Sequence, residues 1–334
     1  MGSILSSSVN QGEIMLNCQF CDETYDFTSM PDHNDEGFWC DHCDGFTYYD
    51  GHQHHRFTLI LEEKGKSKLL PHVPLKLKKQ LSLLRYPGGK SKFLPVIYNR
   101  IRDGKTKTLV SPYTGGGSLE LSFLEAGVVD KLILNDKDIG IYSLFWVVKY
   151  MPEQIIDRIK NCKLTHRTYF EAQEIIKTDY HGCTLIDAAW FTLLVNRLAY
   201  SGIYKANPLG GRSGTREELL SRWNPDQLCK RIKILHNLSD RFEIYNQDAC
   251  ELIEEHYWQR DATIFIDPPY VGKGKDLYRH FYTEADHYQL QMLLDSLHQG
   301  MPGADIILTY DCNPLIEQIY EYPKIERVSR TYSV

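Results

Sequence analysis

The feature that most constrains this chain is a short apolar run that ends in an acid and two prolines. Residues 264–266 are Ile, Phe and Ile, the β-branched and aromatic types expected of a buried strand. Pro268 and Pro269 cannot continue that strand, because proline lacks the N–H that a sheet ladder needs. The strand therefore ends in a stiff loop with Asp267 at its carboxyl end, the edge where open α/β sheets bind ligands.

The loop from Asp267 to Tyr270 has the chemistry of a clamp for a planar amino group. The carboxylate of Asp267 and the carbonyl of Pro268 are acceptors that can bind the two hydrogens of an exocyclic amine and direct its lone pair. Tyr270 can stack on a base that has left the double helix. The prolines hold this geometry in advance. The alternative is a strand that ends in a proline turn with an exposed acid.

The first 50 residues carry two C-x2-C pairs with eighteen residues between them. This spacing is typical of a four-cysteine zinc site, so the sequence predicts a structural zinc ribbon over residues 1–56. A unit this small needs a metal to fold, because it cannot build an adequate core alone. The predicted Zn2+ ligands are Cys18, Cys21, Cys40 and Cys43.

Charge is distributed very unevenly along the chain. Residues 1–50 contain ten acids and no Lys or Arg, which favours a structural or protein-docking role over direct contact with phosphates. Residues 56–107 contain fourteen Lys or Arg and three acids, so the formal net charge of −6 conceals a basic segment. That segment is either a solvated connector or a surface that faces nucleic acid.

Two glycine-rich segments follow. The first, at residues 88–92, is not a nucleotide triphosphatase loop, because that loop needs a glycine where Leu84 stands. The second runs from an apolar strand at residues 108–110 through three glycines at 115–117 into a helix from 119 to 126. Another apolar strand then ends in Asp136, about twenty residues after the glycine turn, where an acid can bind a ribose diol. These are the parts of a Rossmann-like cofactor site.

Together these motifs resemble the Dam-type family of S-adenosylmethionine-dependent DNA N6-adenine methyltransferases, especially its phage-like members. From residue 84 onward they occur in the family's order: Tyr-Pro-Gly-Gly-Lys at 86–90, Pro-Tyr-Thr-Gly-Gly-Gly at 112–117, Asn-Asp-Lys-Asp at 135–138 and Asp-Pro-Pro-Tyr at 267–270. The resemblance implies an α/β fold: a Rossmann-like class I methyltransferase sheet with a helical target-recognition subdomain, preceded here by the small zinc ribbon.

The resemblance also implies which residues bind the cofactor and act in catalysis. S-adenosylmethionine would contact Tyr86, Lys90, Tyr113, Gly115, Gly117, Asp136, Asp248 and Asp267. Catalysis would fall to Lys90, Asp267, Pro268, Pro269 and Tyr270. The family usually has an acid where this chain has Ser111, so one cofactor contact differs.

Helical periodicity marks the segment between the two halves, at residues 155–162, 169–178, 185–198 and 225–238. The glycine-rich piece between the last two resembles the family's target-recognition region. That resemblance implies DNA contacts by Arg197, Tyr200, Ser201, Lys205 and Arg212. Tyr200 stands where the family wedges an aromatic ring into the base stack, and Lys205 where an arginine commonly reads a base. Because lysine lacks the bidentate fork of arginine, we expect a target sequence that need not be GATC.

The sequence thus predicts a zinc ribbon at 1–56, a basic connector at 57–83, the cofactor-binding half at 84–150, target recognition at 151–243 and the catalytic half at 244–334. The predicted reaction moves a methyl group from S-adenosylmethionine to N6 of adenine in a specific duplex DNA sequence after base flipping. Expected partners are double-stranded DNA and a protein for the acidic ribbon. Without a signal peptide or a membrane-length apolar run, we expect a cytoplasmic protein.

Three alternatives share parts of this pattern. The same loop chemistry would serve another planar nitrogen, such as cytosine N4, RNA adenine or a glutamine amide. An inactive methyltransferase body could act as a zinc-ribbon interaction module, although Lys90, Asp136 and Asp267 are intact. A zinc deaminase needs a proline before its paired cysteines, and neither Cys18 nor Cys40 follows one.

Overall fold

The computed structural model describes residues 9–10, 13–17, 23–26, 37–41, 46–48, 57–64, 77, 80–85, 90, 93–101, 105–272, 274, 279–299, 303–320 and 323–330. The strands in these ranges are β1 (Val9–Asn10), β2 (Glu13–Asn17), β3 (Thr24–Asp26), β4 (Gly37–Trp39), β5 (Phe46–Tyr48), β6 (Phe57–Lys64), β7 (Thr108–Ser111), β8 (Lys131–Asn135), β9 (Phe242–Tyr245), β10 (Ala262–Ile266), β11 (Asp305–Asp311) and β12 (Lys324–Arg330).

The helices are α1 (Leu94–Ile101), α2 (Ser118–Ala126), α3 (Ile139–Tyr150), α4 (Pro152–Asn161), α5 (His166–Lys177), α6 (Leu185–Leu198), α7 (Arg216–Leu219), α8 (Pro225–Asn237), α9 (Ala249–Tyr257), α10 (Glu284–Gln299) and α11 (Pro314–Ile319). Short 3-10 turns lie at Tyr200–Gly202 and Ser239–Arg241. No helix within the described ranges is both long and apolar enough to cross a bilayer.

A seven-stranded sheet in the order β12-β6-β11-β10-β7-β8-β9 forms the body of the protein. Every neighbouring pair in it is parallel. Its central strand β10 is fully buried and apolar apart from Thr263, as expected of a parallel strand covered on both faces. The predicted Rossmann-like α/β sheet is therefore confirmed. Smaller antiparallel sheets, β1-β2-β3 and β4-β5, lie in the first 50 residues.

Strand β6 was not expected from the sequence. Residues 57–83 were predicted to be a basic connector, but Phe57–Lys64 lies inside the sheet between β11 and β12. Its first five residues are Phe, Thr, Leu, Ile and Leu, and all of them are buried. The free energy gained by burying these side chains exceeds the cost of placing the charged end of the strand in the sheet. The lysines that suggest a connector follow residue 63, after the buried part of the strand.

Apolar clusters cover both faces of the sheet. One joins α1, α2, α3 and α8 to residues such as Leu109 and Phe265. The other joins α9 and α10 to the opposite faces of the same strands, through residues such as Val110 and Ile264. Alternate residues of one strand point to opposite faces, so a continuous apolar run serves both clusters.

The helical subdomain has its own core, in which α5 and α6 pack against residues 199 and 219. Helices α4, α5, α6 and α8 occupy the four stretches predicted from periodicity, with ends that differ by up to three residues. Helix α6 begins at a capping box in which Thr184 and Asp187 exchange hydrogen bonds. Helix α6 leads into the chain from 199 to 209, where the carbonyl of Ala199 accepts a hydrogen bond from Arg85.

Candidate active site

A cleft of about 970 Å³ lies along the carboxyl edge of the sheet. It is bounded by the turn after β7, the acids that follow β8 and β9, and the loop after β10. Parallel strands end at the same edge, so residues far apart in sequence meet there. The predicted site residues that line the cleft are Lys90, Tyr113, Gly115, Gly117, Asp136, Asp248, Asp267, Pro269 and Arg197.

Asp267 faces this cleft from the end of β10. Its Oδ1 atom accepts a hydrogen bond of 2.9 Å from Thr309 and lies 2.9 Å from the ammonium nitrogen of Lys90. No donor among the described residues bonds Oδ2 of Asp267. Burial raises the pKa of Asp267, and the charge of Lys90 opposes that effect. One oxygen is thus anchored and the other is left to accept a hydrogen from a ligand.

Lys90 lies at the centre of a buried polar group. It forms an ion pair with Glu62, whose side chain is fully buried, and donates to the hydroxyl of Tyr270 at 2.7 Å. That hydroxyl in turn donates to Glu62 at 3.2 Å. Tyr270 is only 7 % exposed, its ring packs beside Lys90, and it is not among the described residues that line the cleft. The structure therefore leaves little of this side chain free to stack on a base.

The glycine turn after β7 is held by the acid after β8. Gly115 and Gly117 have positive φ angles of 50° and 59°, a backbone region that favours glycine. The N–H of Gly115 donates to Oδ2 of Asp136 at 2.8 Å, and the N–H of Asp138 donates to its Oδ1 at 2.9 Å. Burial and the neighbouring charge of Asp138 raise the pKa of Asp136 to about 7. Each oxygen keeps a lone pair for a hydroxyl ligand.

The remaining predicted cofactor residues extend the cleft in both directions. Asp248 begins helix α9 by accepting from the N–H of Cys250 at 2.9 Å, and Lys137 lies 3.2 Å from its other oxygen. Tyr113 packs edge-on against Tyr282, and their hydroxyls are hydrogen-bonded. Pro268 is buried next to the cleft. Tyr86 lies outside the described residues.

An acid that the sequence reading missed stands beside Ser111. The hydroxyl of Ser111 donates to Oε1 of Glu120 at 2.8 Å, and Glu120 lines the cleft from the first turn of α2. Burial raises the pKa of Glu120 to about 7. The structure thus has a carboxylate from the neighbouring helix within hydrogen-bond distance of Ser111, where the family usually has an acid.

Four of the five predicted DNA-contacting residues are exposed near one another along the chain. A bridge between Ala199 and Pro208 closes a hairpin that exposes Tyr200, Ser201 and Lys205, and Arg212 is exposed just beyond it. The fifth, Arg197, lies partly buried in α6. Asn196 fixes the base of this hairpin: its amide oxygen accepts from the N–H of Arg85 at 2.7 Å, and its amide nitrogen donates to the carbonyl of Gly202 at 3.1 Å. The hairpin is therefore tied to the segment that leads to Lys90.

Four arginines line one wall of the cleft: Arg85, Arg197, Arg222 and Arg231. None of them forms an ion pair with an acid anywhere in the described ranges, and Nε of Arg197 is buried without a hydrogen bond. Burial and the charges of Arg231 and Arg85 lower the pKa of Arg197 to about 10. Like charges gathered without acids indicate a binding surface for an anion such as phosphate.

Comparison with known proteins identifies the family. A family model for D12 class N6 adenine-specific DNA methyltransferases matches residues 86–334, well over half of the chain. The chain belongs to this family. It is also similar to the type II methyltransferase M.MjaIII of Methanocaldococcus jannaschii, with 21% identity over 268 residues that cover 73% of this chain and 89% of the relative.

The chain is therefore a site-specific adenine DNA methyltransferase, and the prediction of that enzyme class is confirmed. S-adenosylmethionine is the usual cofactor of the D12 class. Methylation of cytosine or of an amide loses its support, because the matched family is adenine-specific. The phage-like grouping stays a prediction.

The zinc site of this methyltransferase also stays a prediction. Within the described part of the chain, no group of three or more His, Cys, Asp or Glu side chains could hold a metal ion. However, Cys18, Cys21 and Cys43 lie outside that part. Cys40 is buried, and its sulfur lies 3.1 Å from the hydroxyl of Tyr25.

Several residues at this D12-class site belong to none of the sequence motifs. They are Glu62, Glu120, Thr309, Arg231 and Arg279. Arg279 follows the loop after β10 and pairs with Asp138, the residue before α3, at 3.1 Å. This ion pair connects the two segments. A buried acid on an apolar strand, as at residue 62, is the one signal that sequence reading could have used.

Proposed function

We propose that this methyltransferase transfers the methyl group of S-adenosylmethionine to N6 of an adenine that has been flipped out of duplex DNA. The observation that carries the proposal is the setting of Asp267. Its Oδ1 is anchored by Thr309 and Lys90, while Oδ2 has no donor among the described residues and the side chain lines the glycine-rich cleft.

The cleft fits the proposed cofactor in size and in the chemistry of its lining. Its volume of about 970 Å³ lies within the range typical of sites for small molecules and cofactors. Asp136 has lone pairs for a ribose diol, and its orientation is fixed by the N–H groups of Gly115 and Asp138. Glu120 offers a carboxylate to the cationic amino acid part of the cofactor. When bound, S-adenosylmethionine supplies a methyl group that is activated by its positively charged sulfur.

The protein's part in the reaction is to orient the adenine amino group. Oδ2 of Asp267 and the carbonyl of Pro268 accept its two N–H bonds, which turns the nitrogen lone pair towards the cleft. Pro268 and Pro269 restrict the loop, so these acceptors are in place before the base arrives. Burial strengthens both hydrogen bonds, because water cannot compete for the acceptors.

Duplex DNA would be held by the arginine wall and the exposed hairpin. Arg85, Arg197, Arg222 and Arg231 would contact phosphates near the flipped nucleotide. Tyr200 is 62 % exposed next to the bridge that closes the hairpin and is suited to fill the gap that the base leaves. Lys205 is exposed on the same hairpin and Arg212 just beyond it, and both would contact bases or backbone.

The direct test is methylation of duplex oligonucleotides with radiolabelled S-adenosylmethionine, followed by digestion and mass analysis of the nucleosides. N6-methyladenine is the expected product. Label in N4-methylcytosine, or label only in RNA, would overturn the proposal. Long-read sequencing of DNA from cells that express the protein would then give the recognised sequence, for which Lys205 predicts something other than a strict GATC requirement.

The first 50 residues are proposed to hold one structural Zn2+ and, because they are acidic, to bind a protein rather than DNA. The spacing of Cys18, Cys21, Cys40 and Cys43 and the absence of Lys and Arg in this segment support that role. Elemental analysis of the purified full-length protein should find one zinc per chain. Cys21→Ser should lose the metal, and Cys162→Ser, outside the predicted set, should keep it.

A further inference from the structure

Glu62 lies outside the residues that the family model matches, yet it contacts the catalytic machinery. The match begins at residue 86, whereas Glu62 stands near the carboxyl end of β6. Because β6 runs parallel to β11 and β11 runs parallel to β10, the carboxyl ends of β6 and β10 lie at the same edge. The sheet therefore brings Glu62 to the loop that carries Asp267.

The setting of Glu62 is demanding for a charged side chain. It is 0 % exposed, and a buried carboxylate is costly unless it is paired and hydrogen-bonded. Glu62 accepts from Lys90 and, at 3.2 Å, from the hydroxyl of Tyr270. Lys90 also donates to that hydroxyl at 2.7 Å, so the three side chains form a closed triangle. From this triangle Lys90 reaches Asp267 at 2.9 Å.

We propose that Glu62 is a positioning residue for methyl transfer, which holds Lys90 and the Tyr270 end of the catalytic loop in place and shares the lysine charge. This inference rests on the proposed role of Asp267 as acceptor of the amino hydrogens. If Asp267 were the only carboxylate next to Lys90, the two charges would cancel. Because Lys90 also pairs with Glu62, one ammonium faces two carboxylates, and Asp267 keeps more of its negative charge for accepting a hydrogen bond.

The electrostatics of the site agree with this arrangement. Burial raises the pKa of Asp267, Lys90 lowers it and Glu62 raises it. Loss of the Glu62 charge therefore lowers the pKa of Asp267 and weakens its carboxylate as an acceptor. The titratable groups around Asp267 are Lys90, Glu62, Glu120 of α2, Tyr310 of β11 and, through Lys90, Tyr270.

The test compares Glu62→Gln with Glu63→Gln in the full-length protein. Glu63 is the next residue of the same strand but points to the other side, where it pairs with Arg327 at 3.3 Å. We expect Glu62→Gln to lower kcat about tenfold or more, because Lys90 and the loop lose their support. Its affinity for S-adenosylmethionine should stay unchanged. The acid limb of its kcat–pH profile should move to lower pH, because Asp267 then protonates at lower pH. Glu63→Gln should match the wild type in all three.

Glu62→Asp provides the second variant, since it keeps the charge but shortens the reach. The acid limb of the kcat–pH profile of Glu62→Asp should stay at the wild-type position while kcat falls. This variant tests the proposal even if Glu62→Gln does not fold. An unmoved acid limb in Glu62→Gln, or an unchanged kcat in Glu62→Asp, would overturn the proposal. A wild-type protein that transfers no methyl group to adenine would instead refute the proposed function itself.

Discussion

The ammonium nitrogen of Lys90 lies 2.9 Å from Oδ1 of Asp267, although 177 positions separate the two residues in the chain. Lys90 belongs to the first family motif and Asp267 to the last, so this contact joins the two ends of the methyltransferase region. It leaves Oδ2 of Asp267 facing the cleft. The contact brings the two motifs together in one site.

Asp267→Ala should abolish methyl transfer and leave binding of S-adenosylmethionine largely intact. Loss of a preorganised hydrogen-bond partner of a reacting group typically costs about a hundredfold or more in kcat. Single-turnover methylation and calorimetry with the cofactor measure the two effects separately. Asp261→Ala, an exposed acid just before β10, is the control and should keep full activity. A fully active Asp267→Ala enzyme would contradict the role proposed for this carboxylate.

Affinity for S-adenosylmethionine should rise as the pH increases through neutrality. Burial raises the pKa of Asp136 to about 7, so the free protein carries this acid partly protonated there. The carboxylate form is the better acceptor for a ribose diol, so binding favours proton loss and strengthens as pH rises through that value. Calorimetry between pH 6 and 8, in buffers of different ionisation enthalpy, should detect proton release. Affinity that falls over this interval would contradict the assignment.

Glu120→Gln should weaken binding of S-adenosylmethionine by about tenfold, as expected for the loss of one charge-assisted contact. Glu120 accepts a hydrogen bond from Ser111, where the family usually has an acid, and we propose that Glu120 supplies that carboxylate. Glu125→Gln, on the same helix but outside the cleft, is the matched control. Equal cofactor affinities for the two variants would show that Glu120 does not contact the ligand.

Arg197→Ala should weaken binding to duplex DNA at every sequence and reduce the slope of log affinity against log salt by about one. The side chain lines the cleft and forms no ion pair with an acid in the described part of the chain, so its charge is available to a phosphate. Arg327→Ala removes the same charge from the other end of the sheet and should leave the slope unchanged. Fluorescence anisotropy over a range of salt concentrations measures both variants. An unaltered slope for Arg197→Ala would remove this residue from the DNA surface.

Gly202→Ala should destabilise the hairpin by about 1–3 kcal/mol more than Gly211→Ala does. Both glycines have positive φ angles, 75° and 78°, so the backbone strain of alanine is similar. Only at Gly202 would the added Cβ meet another group, the carbonyl oxygen of Arg85 at 2.0 Å. Thermal and urea unfolding give the comparison. Equal losses in the two variants would mean that the contact with Arg85 is not maintained in solution.

The sequence by itself determined three inner strands of the methyltransferase sheet, the four helices of the middle segment and the residues of the linear motifs. The strands at 262–266, 108–111 and 131–135 are mostly apolar and are followed by prolines, glycines or acids, a pattern typical of buried parallel strands. The helix at 185–198 followed from its periodicity. These features depend on neighbours in the chain, which a sequence displays directly.

Only the tertiary structure decided how the site is completed. Strand β6 lies between β11 and β12, which come about 250 residues later, and this placement alone brings Glu62 to Lys90. The exchange of an acid at 111 for Glu120 likewise depends on how α2 packs beside β7. A carboxylate acts on what lies within a few ångströms of it in space, and distance along the chain does not report that.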